Sequence, residues 1–257
     1  MSSREPVTYC VRTDIGLRRK RNEDSYLVAD RRDPLLGSLW AVADGMGGHP
    51  DGDLASRLVC RYLEELYFSS PSFKEALLYR LRPRALLSRL EKCVEEVQKR
   101  LLEYEKKHPE SEGFGTTLSV LVLRGGHGFI AHVGDSRIYR LRHGDLTQLT
   151  TDDTLVQEMV EEGEMTEEEA RTSRYRHILT QALGGGYEKV RCFSIDIRPG
   201  DLYLLSTDGL HDLVPGTSIR KILLENPLPR VCDMLVEAAL ARGGRDNVTV
   251  IVVRIEG

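Results

Sequence analysis

Apolar and polar residues alternate along this chain with two different periods, and each change of period marks an element. Residues 7–12 and 25–29 carry the two-residue alternation of half-buried strands, whereas Leu39-Trp40-Ala41-Val42-Ala43 is a continuous apolar run that predicts a strand buried on both faces. Over residues 53–68, Leu54, Leu58, Val59, Leu63, Leu66 and Tyr67 recur at helical spacing. A longer helix is predicted over residues 84–107, where Leu86, Leu87, Leu90, Cys93, Val94, Val97, Leu101 and Leu102 form a stripe and Glu, Lys and Arg fill the other face. Both stripes read as packing against a sheet, not as partner surfaces. Further strands are expected at 116–123 and 128–133, around the turn Arg124-Gly125-Gly126-His127, and at 138–141, 202–205 and 248–253. A short helix follows Pro215 and a longer one covers 228–241.

The segment 152–186 differs from the rest. Leu155, Val156, Met159 and Val160 suit a short helix, Thr166-Glu167-Glu168-Glu169 has the capping-box pattern of another, and Gly184-Gly185-Gly186 closes the excursion. It reads either as a flap over a site or as a plain surface insertion.

Composition narrows the class. With 257 residues, 40% hydrophobic and 30% charged, the chain can bury a substantial core and is not disordered. No repeat or linker divides it, so one domain over residues 1–257 is expected. The net charge of -4 gives no electrostatic case for nucleic acid or an anionic membrane, and the basic runs at 18–21 and 80–84 read as solvated faces, Arg19 excepted. No apolar run approaches the roughly 20 residues of a membrane span, and Met1 to Pro6 lack the apolar core of a secretion signal. Cys10, Cys60, Cys93, Cys192 and Cys232 are odd in number, widely spaced and without C-x-x-C, so neither a disulfide framework nor a zinc site is expected. These features together predict a cytoplasmic protein in a reducing compartment.

The candidate chemistry lies where strands end. The apolar run at 39–43 stops at Asp44-Gly45-Met46-Gly47-Gly48-His49, and Leu202-Tyr203-Leu204-Leu205 leads to Ser206-Thr207-Asp208-Gly209. One Asp-Gly is an ordinary turn dipeptide. Here, however, Asp24, Asp135 and Asp246 also sit at strand-edge turns, and five carboxylates so placed predict an acidic pocket that needs cations. Oxygen donors suit Mg²⁺ or Mn²⁺, and the seven histidines show no H-x-H or H-E-x-x-H spacing that favours zinc. One ion cannot use all the acids. Two ions about 3.5–4 Å apart form the arrangement used for in-line attack on phosphorus.

Six motifs occur in order: Thr13-Asp14-x-Gly16-x-x-Arg19-x-x-Asn22-Glu23-Asp24, Asp44-Gly45-Met46-Gly47-Gly48-His49, Gly115-Thr116-Thr117, Val133-Gly134-Asp135-Ser136-Arg137, Ser206-Thr207-Asp208-Gly209-Leu210 and Asp246-Asn247-Val248-Thr249. In this the chain closely resembles the bacterial branch of the metal-dependent Ser/Thr protein phosphatases, the PPM or type 2C family. The resemblance implies an α+β fold, a four-layer α-β-β-α sandwich of two mainly antiparallel sheets flanked by helices, with the metals in a cleft at one end and a small helical flap. It implies that Asp44 bridges two Mn²⁺ or Mg²⁺ ions, that Gly45 offers its carbonyl, and that Asp208 and Asp246 complete the first site. Glu23 and Asp24 would hold metal-bound waters, Asp135 would bind a third, weaker ion with Asp208, and Arg19 would clamp the substrate phosphate. Arg19, Asp44 and Asp208 are thus the expected catalytic residues. A hydroxide bridging the metals would attack phosphorus directly, without a covalent phosphoenzyme.

The resemblance further implies a phosphatase for phosphoserine and phosphothreonine in proteins, a monomer opposing a bacterial Ser/Thr kinase. Two rivals stand beside it: a pseudophosphatase that binds phosphoprotein without turnover, and an enzyme for small phosphate esters. The chain departs from the family pattern in three places. Met46 replaces a His that protonates the leaving group in some relatives and leaves His49 as a weak substitute. Asp152-Asp153-Thr154 stands for the usual Asp-His-Ser, and the flap reads Ser173-Arg174-Tyr175-Arg176-His177 in place of His-Pro.

Overall fold

In the computed structural model, which describes residues 6–46 and 52–257, the runs that are apolar at consecutive positions become central strands because both their faces meet apolar layers. Strand β3 (Gly37–Met46) sends Leu39, Ala41 and Ala43 towards helices and Trp40 and Val42 towards a second sheet. Strand β11 (Val248–Ile255) does the same from the other side, with Val248, Val250 and Val252 facing helices and Ile251, Val253 and Ile255 facing the first sheet. Burying an aliphatic side chain this fully contributes about 1.5–3 kcal/mol, which is why polar residues are missing from these positions.

One sheet has the order β1 (Val7–Asp14), β11, β10 (Leu202–Ser206), β7 (Arg137–Arg142), β8 (Asp145–Gln148). The other has the order β2 (Asp24–Asp33), β3, β5 (Leu118–Arg124), β6 (His127–Val133), β9 (Arg191–Asp196), with the short β4 (Gly115–Thr116) paired to the end of β3. Every pairing is antiparallel. Helices α1 (Gly52–Tyr67), α2 (Phe73–Leu81) and α3 (Ala85–Lys107) cover the sheet that contains β3, where Leu86, Leu90, Val94, Val97 and Leu101 of α3 are buried in the expected stripe. Helices α6 (Asp208–His211), α7 (Gly216–Glu225) and α8 (Leu228–Ala241) cover the sheet that contains β11. The result is the expected four-layer α-β-β-α sandwich. Helices α4 (Leu155–Glu161) and α5 (Glu167–Thr172) occupy the excursion, and Thr166 and Glu169 form the reciprocal capping box. Among the described residues no helix is long and apolar enough to cross a membrane.

One turn crosses between the sheets, and one expectation is corrected. Strands β6 and β7 belong to different sheets, so residues 134–136 carry the chain across the sandwich at one end. And two of the cysteines do pair. Cys10 of β1 and Cys232 of α8 form a disulfide, their Cα atoms 6.1 Å apart. Cys10 points from the outer face of β1 and Cys232 from the helix packed over it, a pairing across 222 residues that spacing in the sequence cannot display. Cys60, Cys93 and Cys192 are free thiols.

Candidate active site and metal centre

Five chain segments reach the same end of the sandwich: the start of β2, the end of β3, the β6–β7 crossover, the end of β10 and the entry to β11. The register pairs Asp24 directly with Asp44. The two sheets are then joined at this end by hydroxyls. Thr207 Oγ1 donates to Asp24 Oδ2 at 2.8 Å and accepts from the Thr249 amide at 2.9 Å. Thr117 Oγ1 accepts from the Asp44 amide at 3.0 Å and lies 2.7 Å from Ser136 Oγ, while Thr116 Oγ1 donates to the Asp44 carbonyl at 2.8 Å.

Asn247 fixes the loop that carries Arg19. Its side-chain amide donates to the carbonyls of Ile15 and Arg21, both at 2.9 Å, and its Oδ1 accepts from the Glu23 amide at 2.8 Å. Gly16 belongs to the same clasp. It has φ +76°, and a Cβ there would stand 2.2 Å from the Asp246 carbonyl oxygen, so only glycine fits.

A cavity of about 450 Å³ opens among these segments, lined by Arg19, Glu23, Asp44, Gly45, Met46, Thr117, Asp135, His177, Leu179, Asp208 and Asp246. The structure thus brings together all the expected site residues except Asp24, whose buried carboxylate stands behind Asp44. Gly47, Gly48 and His49 lie outside the described residues. Arg19 Nη2 is 2.6 Å from Asp246 Oδ2, and Arg19 Nη1 is 3.9 Å from Glu23 Oε2. The Asp152-Asp153-Thr154 stretch, with its departures at Asp153 and Thr154, proves to be structural. Asp152 takes a two-pronged contact from Arg137, and Asp153 accepts from the Gly134 amide at 2.8 Å and pairs with Arg191 at 2.9 Å, which roots the excursion beside Asp135.

The electrostatics are those of an acid cluster without its counter-charge. Burial, followed by repulsion from Asp24, Asp208, Asp135 and Asp246, holds the Asp44 carboxyl well above the ordinary carboxylate range. Asp208 is raised well above it for the same reasons, with burial first and Asp135 and Asp246 next. Burial pushes Asp24 up to about 7 against the opposing Thr249 and Thr207 hydrogen bonds, and burial with Asp152 and Asp212 nearby pushes Asp135 to about 7. Oδ1 of Asp24 and Oδ1 of Asp208 are buried with no hydrogen-bond partner. Orphaned, mutually repelling carboxylate oxygens around one cavity fit hard divalent cations, the donor chemistry of Mg²⁺ and Mn²⁺.

A pH dependence follows for the cation-free protein. A carboxyl with a raised pKa binds its proton more tightly in the folded chain than in the unfolded one, so the stability it contributes is present at low pH and lost as pH rises through the folded value. In EDTA, the melting temperature is expected to fall by several degrees between pH 5 and pH 8, the window set by the values near 7 for Asp24 and Asp135. Mn²⁺ at pH 8 should restore it. A melting temperature in EDTA that is flat over this range, read by scanning fluorimetry, would contradict this account of the cluster.

Sequence reasoning passed over Asp212 and the supporting hydroxyls of Thr117, Thr207 and Thr249. The Thr residues lie inside the six motifs, and burial of a hydroxyl beside an acid was the signal. For Asp212 the signal was its position four residues after Asp208, on the same face of a helical turn.

The profile of the protein phosphatase 2C family matches residues 18–239. Serine/threonine protein phosphatase PstP of Mycobacterium tuberculosis is 38% identical over 246 residues, covering 96% of this chain and 44% of PstP, so the chain spans less than half the length of that relative. Serine/threonine phosphatase stp of Listeria monocytogenes is 37% identical over 246 residues, covering 94% of this chain and 93% of its own. The solved structure of the catalytic domain of PstP in complex with two manganese ions superposes with a TM-score of 0.82 at 37% identity, over 98% of this chain and 99% of that one. By sequence and by fold, the chain belongs to the protein phosphatase 2C family.

Proposed function

We propose that this chain is a metal-dependent protein phosphatase that removes phosphate from phosphoserine and phosphothreonine. The observation that carries the reading is the cavity in which Asp44, Asp135, Asp208 and Asp246 converge with Arg19, while Asp208 Oδ1 stays buried and unpartnered. Asp44, the Gly45 carbonyl, Asp208 and Asp246 would hold two Mn²⁺ or Mg²⁺ ions, Asp135 with Asp208 a third, and Asp24 would support them from behind Asp44. When bound, the ions supply Lewis-acid charge and an activated water for in-line displacement at phosphorus.

The chain's own groups do the rest. Arg19, tethered through Asn247, presents a forked guanidinium at the mouth for phosphate oxygens. Its present partner, Asp246, is one of the proposed metal-holding acids, so a cation at Asp246 would free Arg19 for substrate. Met46 lines the cavity and has no proton to donate, so the chain does not reproduce a His acid at that position. The names of the relatives support phosphorylated proteins as substrates. The cognate kinase, of the bacterial Ser/Thr type, and a monomeric state complete the proposal.

The test is phosphate release from a phosphothreonine peptide with Mn²⁺ and with EDTA. Rapid release abolished by EDTA is expected, and no release from a panel of such peptides would leave a phosphoprotein-binding module as the better reading. Arg19→Lys should lower kcat/KM by about 10- to 100-fold, mainly through KM, because losing the fork removes a charge-assisted hydrogen bond of about 1.5–3 kcal/mol. An unchanged KM would remove Arg19 from the substrate site.

A further inference from the structure

The basic run at 80–84 belongs to helix α2 and the link that follows it, and the fold gives it apolar company. Over residues 72–84 the chain carries Lys74, Arg80, Arg82 and Arg84, all exposed, against one acid, Glu75, in a protein whose net charge is -4. Glu75 is taken by the helix cap, where its carboxylate accepts from the amide and the hydroxyl of Ser72 at 2.9 and 2.7 Å. None of the four cationic side chains forms an ion pair with another described residue.

Helix α2 is apolar on two opposite faces. Tyr79 faces inward, 4% exposed, and its carbonyl accepts from Arg124 Nη1 at 2.7 Å. Phe73, Leu77 and Leu81 face outward and are 85%, 48% and 72% exposed. At about 100° per residue these three span about 80° of the helix surface, with Arg80 about 20° beyond one margin and Lys74 about 20° beyond the other. An apolar ridge with a cation along each side is the arrangement of a helix lying in a lipid interface, where the ridge enters the acyl boundary and the cations reach anionic headgroups. A protein partner would need a groove matched to a ridge that stands proud at both ends. A fluid bilayer closes round it whatever its shape.

The place of α2 in the fold suits such a surface. Asp24 and Asp44 pair at one end of the sandwich, and Asp33 pairs with Gly37 at the other end of the same two strands. In the turn between Asp33 and Gly37 the Leu36 carbonyl accepts from the Tyr67 hydroxyl at 2.9 Å. Arg89 donates to the carbonyls of Tyr67 and Ser69 at 2.9 and 2.6 Å, which fixes the link into α2 at that same end. The ridge is thus remote from the acid cavity, and a bilayer laid against it leaves the cavity mouth in solution.

We propose that α2 is a docking site for the surface of an anionic phospholipid bilayer, in which Phe73, Leu77 and Leu81 insert and Lys74, Arg80, Arg82 and Arg84 contact headgroup phosphates. The inference goes beyond the phosphatase reading and does not depend on it. Docking of this kind concentrates the chain on a surface without touching the groups of the cavity. Each cation near an anionic leaflet raises partitioning about fivefold, and salt screens the effect.

Co-sedimentation of the full chain with vesicles tests this, using phosphatidylcholine alone and an equal mixture with phosphatidylglycerol. Wild type should bind the mixed vesicles about a hundredfold more tightly than phosphatidylcholine alone, and added salt should release it. The double variants Leu77→Ser with Leu81→Ser, and Lys74→Gln with Arg80→Gln, should each bind about tenfold more weakly. Phe73→Trp gives a readout that needs no loss of binding. Trp40, the one native tryptophan, is fully buried, so emission from position 73 should shift to the blue on mixed vesicles and be quenched by brominated acyl chains. No binding to mixed vesicles, equal binding to both kinds, or no quenching by brominated chains overturns the proposal. Undiminished binding of the Leu77→Ser, Leu81→Ser variant would mean adsorption by charge alone and overturns it too. So does a dimer in sedimentation velocity that this variant dissolves, which makes a second copy the occupant, or tighter binding to poly-glutamate than to mixed vesicles, which makes it an acidic protein.

Discussion

Asp208→Asn is expected to lower Mn²⁺-dependent phosphate release by about a thousandfold while raising the melting temperature of the cation-free protein. The activity loss follows from removing a charge that would hold the ions: a term of about 4 kcal/mol corresponds to three decades in rate. The gain in stability follows from the structure without cations. Burial and repulsion from Asp135 and Asp246 raise the Asp208 carboxyl well above its ordinary range, so a neutral amide of the same shape relieves a penalty that the folded chain bears. The opposite signs are the informative part, because a substitution that merely damaged the fold would lower both quantities. An Asn variant that keeps wild-type turnover in Mn²⁺ would exclude Asp208 from the catalytic metal centre.

Gly209→Ala is expected to destabilise the protein by about 3 kcal/mol and to weaken Mn²⁺ binding together with it. An added Cβ would stand 1.9 Å from the Asn247 carbonyl oxygen and 2.9 Å from its carbonyl carbon, both of them backbone that cannot swing aside. The two walls of the cavity touch at this point, with Asp208 one residue before the contact on one side and Asp246 one residue before it on the other. Relief requires the segments to part, at a cost at or above the usual 1–3 kcal/mol of overpacking. Calorimetric unfolding and Mn²⁺ titration of the variant check both parts. Unaltered Mn²⁺ affinity in a destabilised variant would mean that the two walls bind their ions independently.

The sandwich was legible because its central strands are buried on both faces. In the central runs 39–43 of β3 and 250–253 of β11 that double burial leaves no polar position, and in α3 single-sided burial leaves a stripe. Edges carry less signal. Strands β8 and β9 have neighbours on one side only and are largely half-buried or exposed, so their sequences, Asp-Leu-Thr-Gln and Arg-Cys-Phe-Ser-Ile-Asp, alternate weakly. Helix α2 exposes Phe73, Leu77, Leu78 and Leu81, which blurs any stripe, although the Ser72 and Glu75 capping box marks its start. For the site, the acids stood out because each follows an apolar strand. Distance in space could not be read. Nothing local to Asp24 says that it stands behind Asp44, nor that a turn beside Asp135 crosses between sheets, nor that His177 returns to Asp208 after the long excursion.

The bond between Cys10 and Cys232 has a topological meaning beyond its local packing. β1 pairs with β11, so the first and last strands are neighbours, and the disulfide makes a closed covalent ring of everything from residue 10 to residue 232. The excursion at 152–186 lies inside that ring. A protease that severs it opens the ring without dividing the molecule: the two pieces stay one covalent particle, each bringing acids to the shared cavity, and migrate apart only after a reductant is added. A nicked chain of this kind keeps its halves at an effective concentration far above any that free fragments reach in solution.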